Sequence, residues 1–155
     1  MNVMVMNREQ AKRFSFQMHD FQSAIISITD PDKSIVLFNR SDGNGIKFIS
    51  RFTFWDEEED KYGCISEEQA KKIADDVRTA ECFHIDAIII HCEAGKCRSA
   101  GVAAAILKAL TGDDTRIFDN PQYTPNMKCY RMVLNAMMSI KDSAKVRVGD
   151  KFERT

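Results

Sequence analysis

Short apolar runs alternate with amphipathic stretches along this chain, and their order predicts an α/β domain. Asn2–Met6 reads as an edge strand. Asn7 followed by Gln10 has the form of a capping box, and Ala11, Phe14 and Met18 recur behind it at helical spacing. Ala24–Ile28 is a compact strand closed by the turn signal Thr29-Asp30-Pro31-Asp32. Ser34–Phe38 reads as a further strand. Ile46–Phe54, rich in aromatic and β-branched residues, reads as another.

Beyond an acidic loop, Asp56 to Asp60, the pattern turns helical. Ser66 and Gln69 make a second capping box, and Ile65 and Ala70 are placed for a hydrophobic staple. Ala70, Ile73, Ala74, Val77 and Ala80 then form one apolar face. Ile85–His91 is continuously apolar except for Asp86, as a strand buried on both faces would be. From Arg98 to Leu110 the residues are apolar nearly all round, which predicts an enclosed helix ended by Gly112 in a left-handed cap. Asn126 can cap a last helix carrying Met127, Tyr130, Val133, Leu134, Met137 and Met138. Residues 144–155 form a charged tail without period. The expected fold is a single α/β domain over 1–155: a central, mostly parallel sheet flanked by helices, with a loop joining the central strand to the enclosed helix.

Composition narrows the function classes. A net charge of −1 over 155 residues gives no footprint for nucleic acid. The longest apolar stretch is far below a membrane span. Met1–Met6 is too short for a signal-peptide core. The five cysteines are odd in number and show no paired framework. Together these features predict a reducing, cytoplasmic setting in which an uneven cysteine can be catalytic.

The candidate chemistry lies where the central strand meets the enclosed helix, in His91-Cys92-Glu93-Ala94-Gly95-Lys96-Cys97-Arg98-Ser99. A loop between a strand end and a helix start can turn successive backbone N–H groups inward as an anion nest. The helix start adds unsatisfied N–H groups and a positive dipole end. Glu93, Ala94, Gly95, Lys96, Cys97 and Arg98 would surround a phosphate, and Gly95 permits the backbone geometry. Arg98 supplies a planar fork that grips two phosphate oxygens at once. The same field favours the thiolate of Cys92. A leaving oxygen would then need a proton from an acid outside the loop.

These nine residues resemble the signature of the protein tyrosine phosphatase superfamily: His-Cys, five residues, Arg, then Ser or Thr. The glycine-containing helix start and the Pro125-Asn126 region resemble small bacterial or phage-type members of its dual-specificity branch. The resemblance implies a phosphocysteine intermediate on Cys92, with Arg98 holding the phosphoryl oxygens. It implies that Ser99 stabilises the departing thiolate and that His91 fixes the loop. It implies neither a metal nor a cofactor. The general acid in that family precedes the cysteine by a few tens of residues, and Asp56 fits, although Phe54-Trp55-Asp56 lacks the proline of the larger enzymes. Asp60 and the three glutamates are rivals.

The reading is therefore a metal-free phosphate monoester hydrolase acting on a phosphorylated protein or a small phosphate ester. Tyrosine or dual specificity is expected, and oligomeric state is left open. Alternatives are a phosphatase of an inositol phosphate or nucleotide, to which Lys96 is suited and Glu93 is not, and a catalytically silent phospho-binding module. An arsenate reductase is a weaker rival, because the cysteine loop opens the chain in those relatives and is central here. Cys97 is either a small space-filling residue or a thiol able to trap oxidised Cys92.

Overall fold

In the computed structural model, β1 (Asn2–Met6), β2 (Ser23–Thr29), β3 (Ile46–Thr53) and β4 (Ala87–His91) form one parallel sheet in the order β1-β4-β2-β3. Backbone is described for residues 1–153 and side chains for 1–142; the charged tail expected at 144–155 lies beyond those side chains. The helices are α1 (Arg8–Ser15), α2 (Glu67–Cys82), α3 (Arg98–Thr111), α4 (Thr115–Phe118) and α5 (Met127–Glu153). The result is a single α/β domain.

β4 is the inner strand that the local pattern requires. All five of its residues are buried, because β1 and β2 flank it and helices cover both faces. On one face Ile88 and Ile90 meet the apolar sides of α2, α3 and α5 in the main core; on the other, Ile89 joins Phe14 of α1 and Ile25. Isoleucine packs well on such a doubly covered, pleated surface. Residues Arg98 to Ile106 of α3 are all buried. Both capping boxes are present, with Asn7 and Ser66 each accepting from the backbone nitrogen of the residue three along. Gly112 closes α3 at φ 78°. Ile65 and Ala70 are both buried at the start of α2.

Two expectations change, and one short helix was not foreseen. Ser34–Phe38 is not a strand. Side chains claim the backbone of this segment and its neighbour: Arg8 donates to the Ser34 carbonyl, and the Asn39 N–H donates to Ser15 Oγ. Only Val36 in it is buried, while Ile35 and Leu37 are exposed. α1 stops at Ser15, short of Met18, because Asn44 takes the Ser15 carbonyl and redirects the chain. The short α4, capped only weakly, has no periodic signature in the sequence.

Candidate active site

The β4–α3 connection sits at the carboxyl end of the sheet, where parallel α/β proteins bind their ligands. Cys92 and Ser99 are both buried, and Cys92 Sγ lies 3.1 Å from Ser99 Oγ. A hydroxyl at this distance can donate to the thiolate. No side chain caps α3, whose N-cap position is Cys97, so its first-turn N–H groups remain open towards the loop.

Gly95 has φ 67°, and a Cβ there would fall 2.6 Å from the Asn7 nitrogen and 2.7 Å from the Met6 carbonyl carbon. The loop is thus pressed against the β1–α1 junction, and only glycine fits. Arg8 on that junction donates to Glu93 Oε1 at 3.1 Å, and Lys33 lies 3.6 Å from the other carboxylate oxygen. The Glu93 charge is therefore balanced locally. Lys96 is exposed and has no ion-pair partner among the described residues.

Arg98 is 5% exposed. Its guanidinium donates to the Phe54 carbonyl at 2.7 Å and pairs with Asp30 at 2.7 Å, which orients the fork while leaving further N–H donors. Sequence reasoning read Asp30 only as part of a turn. The available signal was its place directly after a strand that borders β4.

His91 is fully buried. Its Nδ1 lies 3.2 Å from the Cys92 carbonyl and its Nε2 lies 2.6 Å from Ser27 Oγ, on the residue paired with it across β2. Burial pulls its pKa down to about 4, so the ring is neutral near pH 7. A carbonyl can only accept, so Nδ1 carries the proton and Nε2 accepts from the serine. This bond braces the Cys92 peptide. Ser27 was missed in the sequence because it sits inside an otherwise apolar strand.

The acidic loop, Asp56 to Asp60, follows β3. It closes on itself through the Trp55 N–H to the Gly63 carbonyl at 2.7 Å, with the indole packed on Gly63. The start of α5 docks it. Asn126 Nδ2 donates to Asp56 Oδ1 at 2.7 Å and to the Glu57 carbonyl at 3.2 Å, and the Met127 N–H donates to Glu58 at 3.1 Å. Lys128 pairs with Asp60. That hydrogen bond holds the Asp60 carboxyl below the usual carboxylate range. Asp60 also projects into solvent, its side chain 96% exposed. Burial, and then the Asp56 carboxylate, push the Cys97 thiol up. Cys97 is thereby kept as S–H beside Asp56, a poor state for attacking an oxidised neighbour.

The same segment ties the loops together. The Thr124 N–H donates to the Lys96 carbonyl at 2.9 Å, and the Asn126 N–H donates to the Cys97 carbonyl at 2.8 Å. Cys92, Arg98, Ser99, His91 and Asp56 are thus brought into one neighbourhood, and Asp60 is held at its rim.

No protein-family model matches the chain, and no curated protein matches its sequence. Solved structures do match its fold. The human tyrosine phosphatase-like serine/threonine/tyrosine-interacting protein superposes with a TM-score of 0.60 at 14% identity, over 90% of this chain and 93% of that one. The fold is that of the small dual-specificity phosphatases. A mouse putative dual specificity phosphatase complexed with zinc tungstate gives 0.59 at 15% identity, over 92% and 86% of the two chains. PTPMT1 in complex with PI(5)P gives 0.58 at 14% identity, over 92% and 94%. Within this dual-specificity-phosphatase fold, no group of three His, Cys, Asp or Glu among the described residues could hold a metal ion. No described helix is long and apolar enough to cross a membrane.

Proposed function

We propose that this protein is a cysteine-dependent phosphate monoester hydrolase of the protein tyrosine and dual-specificity phosphatase type. The observation that carries the reading is the Cys92–Ser99 contact at the uncapped start of α3, beside the buried Arg98. In the first step the Cys92 thiolate attacks phosphorus. Arg98 and the first-turn N–H groups of α3 hold the equatorial oxygens as negative charge develops. Asp56 protonates the leaving oxygen. In the second step Asp56 takes a proton from water, which attacks the phosphocysteine; Ser99 donates to the sulfur as it departs.

Protein phosphotyrosine, with phosphoserine or phosphothreonine as further substrates, is the preferred class. Asp56 is exposed, which suits a shallow cleft. An inositol phosphate is the second reading, supported by the exposed charge of Lys96. Turnover of p-nitrophenyl phosphate by the reduced protein in the presence of a chelator tests the enzyme reading, and its absence would leave a silent phospho-binding module. Lys96→Ala separates the substrate classes: a loss confined to inositol phosphates supports the second.

A further inference from the structure

Asn126 is 1% exposed and spends every polar group it has on one junction. Its backbone N–H reaches the phosphate loop at the Cys97 carbonyl, 2.8 Å away. Its Oδ1 accepts from the Cys129 N–H at 2.9 Å and caps α5. Its Nδ2 donates to Asp56 Oδ1 at 2.7 Å and to the Glu57 carbonyl at 3.2 Å. The cap settles which way the amide faces. A flipped amide would set its N–H groups against the Cys129 N–H and its oxygen against a carboxylate and a carbonyl.

Building on the phosphatase reading, we propose that Asn126 is a positioning residue for the proton of Asp56. With Oδ1 committed to accepting from Asn126, the proton of the neutral acid resides on Oδ2. After transfer, the same amide steadies the carboxylate for the water-activating step. The Asn126 backbone is also bonded to the phosphate loop, so this residue couples the acid to the nucleophile's loop, alongside the bond from Arg98 to the Phe54 carbonyl. Close packing enforces the placement. A Cβ at Gly101 of α3 would come within 2.4 Å of the Asn126 carbonyl oxygen, so the two helices meet here without a side chain between them.

Asn126→Ser provides the test, since serine keeps a helix-capping oxygen and removes the amide donor. The readout is the ratio of kcat/KM for phenyl phosphate, which needs the proton, to that for dinitrophenyl phosphate, which does not. This ratio should fall about tenfold, part of the usual general-acid contribution. In an Asp56→Asn background the same substitution should change the ratio no further. Equal losses on both esters, or an undiminished effect without Asp56, would overturn the proposal and leave Asn126 a purely structural cap. A second measurement does not depend on turnover or on the folding of Asn126→Ser. In Asp56→Ala, one side-chain amide proton of Asn126 should move upfield in the NMR spectrum; unmoved resonances would also overturn it. Inactivity of the wild-type protein on both esters would sink the phosphatase reading instead, while the amide shift still decides whether Asn126 holds Asp56.

Discussion

The loop after β4 and the loop after β3 serve the same proposed reaction, yet they are built in opposite ways. The first is contiguous and enclosed. Its glycine is clamped on the β1–α1 junction, its carbonyls are taken by residues 124 and 126, and its nucleophile, arginine and serine are all buried. The second is acidic and mostly exposed, and it is placed from outside by successive residues at the start of α5. Binding a tetrahedral anion needs many donors fixed at once, which favours a short loop of rigid backbone. Delivering a proton needs one group at the right place, and that group can ride on a loop held by a few contacts. The phosphate loop should therefore fail for every substrate when altered, and the acid loop only for poor leaving groups.

The largest effect should come from Cys92→Ser: turnover lost by about 10⁴-fold or more for good and poor leaving groups alike, with vanadate still bound. Retained turnover would break the comparison at its root. Arg98→Lys should cost about 10²–10³-fold on both substrate types and weaken phosphate binding as well, because a point charge cannot replace the fork.

Acid should loosen the rigid side selectively. The folded protein keeps His91 neutral down to about pH 4, whereas the unfolded chain protonates it below its ordinary value of 6.5. The stability this contributes is whole above pH 6.5 and is lost as pH falls towards 4, about 3 kcal/mol across the window. Denaturant melts at several pH values should show this slope in the wild type and a shallower one in His91→Gln, since other groups titrate in both.

On the acid side, Asp56→Asn should slow phenyl phosphate about 10²-fold and spare dinitrophenyl phosphate, with Asp60→Asn within about twofold of wild type on both. The reverse ranking would move the acid to Asp60. Gly101→Ala, which intrudes on the helix contact beneath both loops, should lower stability by about 1–3 kcal/mol, read as a drop in Tm. If it also alters the leaving-group ratio, the α3–α5 contact governs the acid's placement as well.

Legibility in the sequence follows the same division. Cys92, Arg98 and Gly95 are readable because strand, loop and helix are consecutive and their geometry is local, whereas the role of Ser99 came only with the family resemblance. Asp56 was reachable only by its distance from the cysteine, with Asp60 as a rival. What separates the two is Asn126 on one and Lys128 on the other, contacts across some seventy residues of chain. Asp30 and Ser27 looked like a turn residue and a lapse in an apolar strand. They acquire roles only once β2 lies beside β4. The Ser34–Phe38 expectation failed for a related reason, since Arg8 and Ser15, distant in sequence, had already taken the neighbouring backbone.

By itself, then, the sequence determined most of the elements and pointed to the loop from Cys92 to Ser99, since hydrophobic period, capping and backbone nests act over a few residues. What holds Asp56 and Asp60, what orients the arginine and the histidine, and how the two loops are joined were decided only by tertiary structure. Hydrogen bonds and ion pairs between distant segments form where folding brings their partners within about 3 Å, and no local pattern records that encounter.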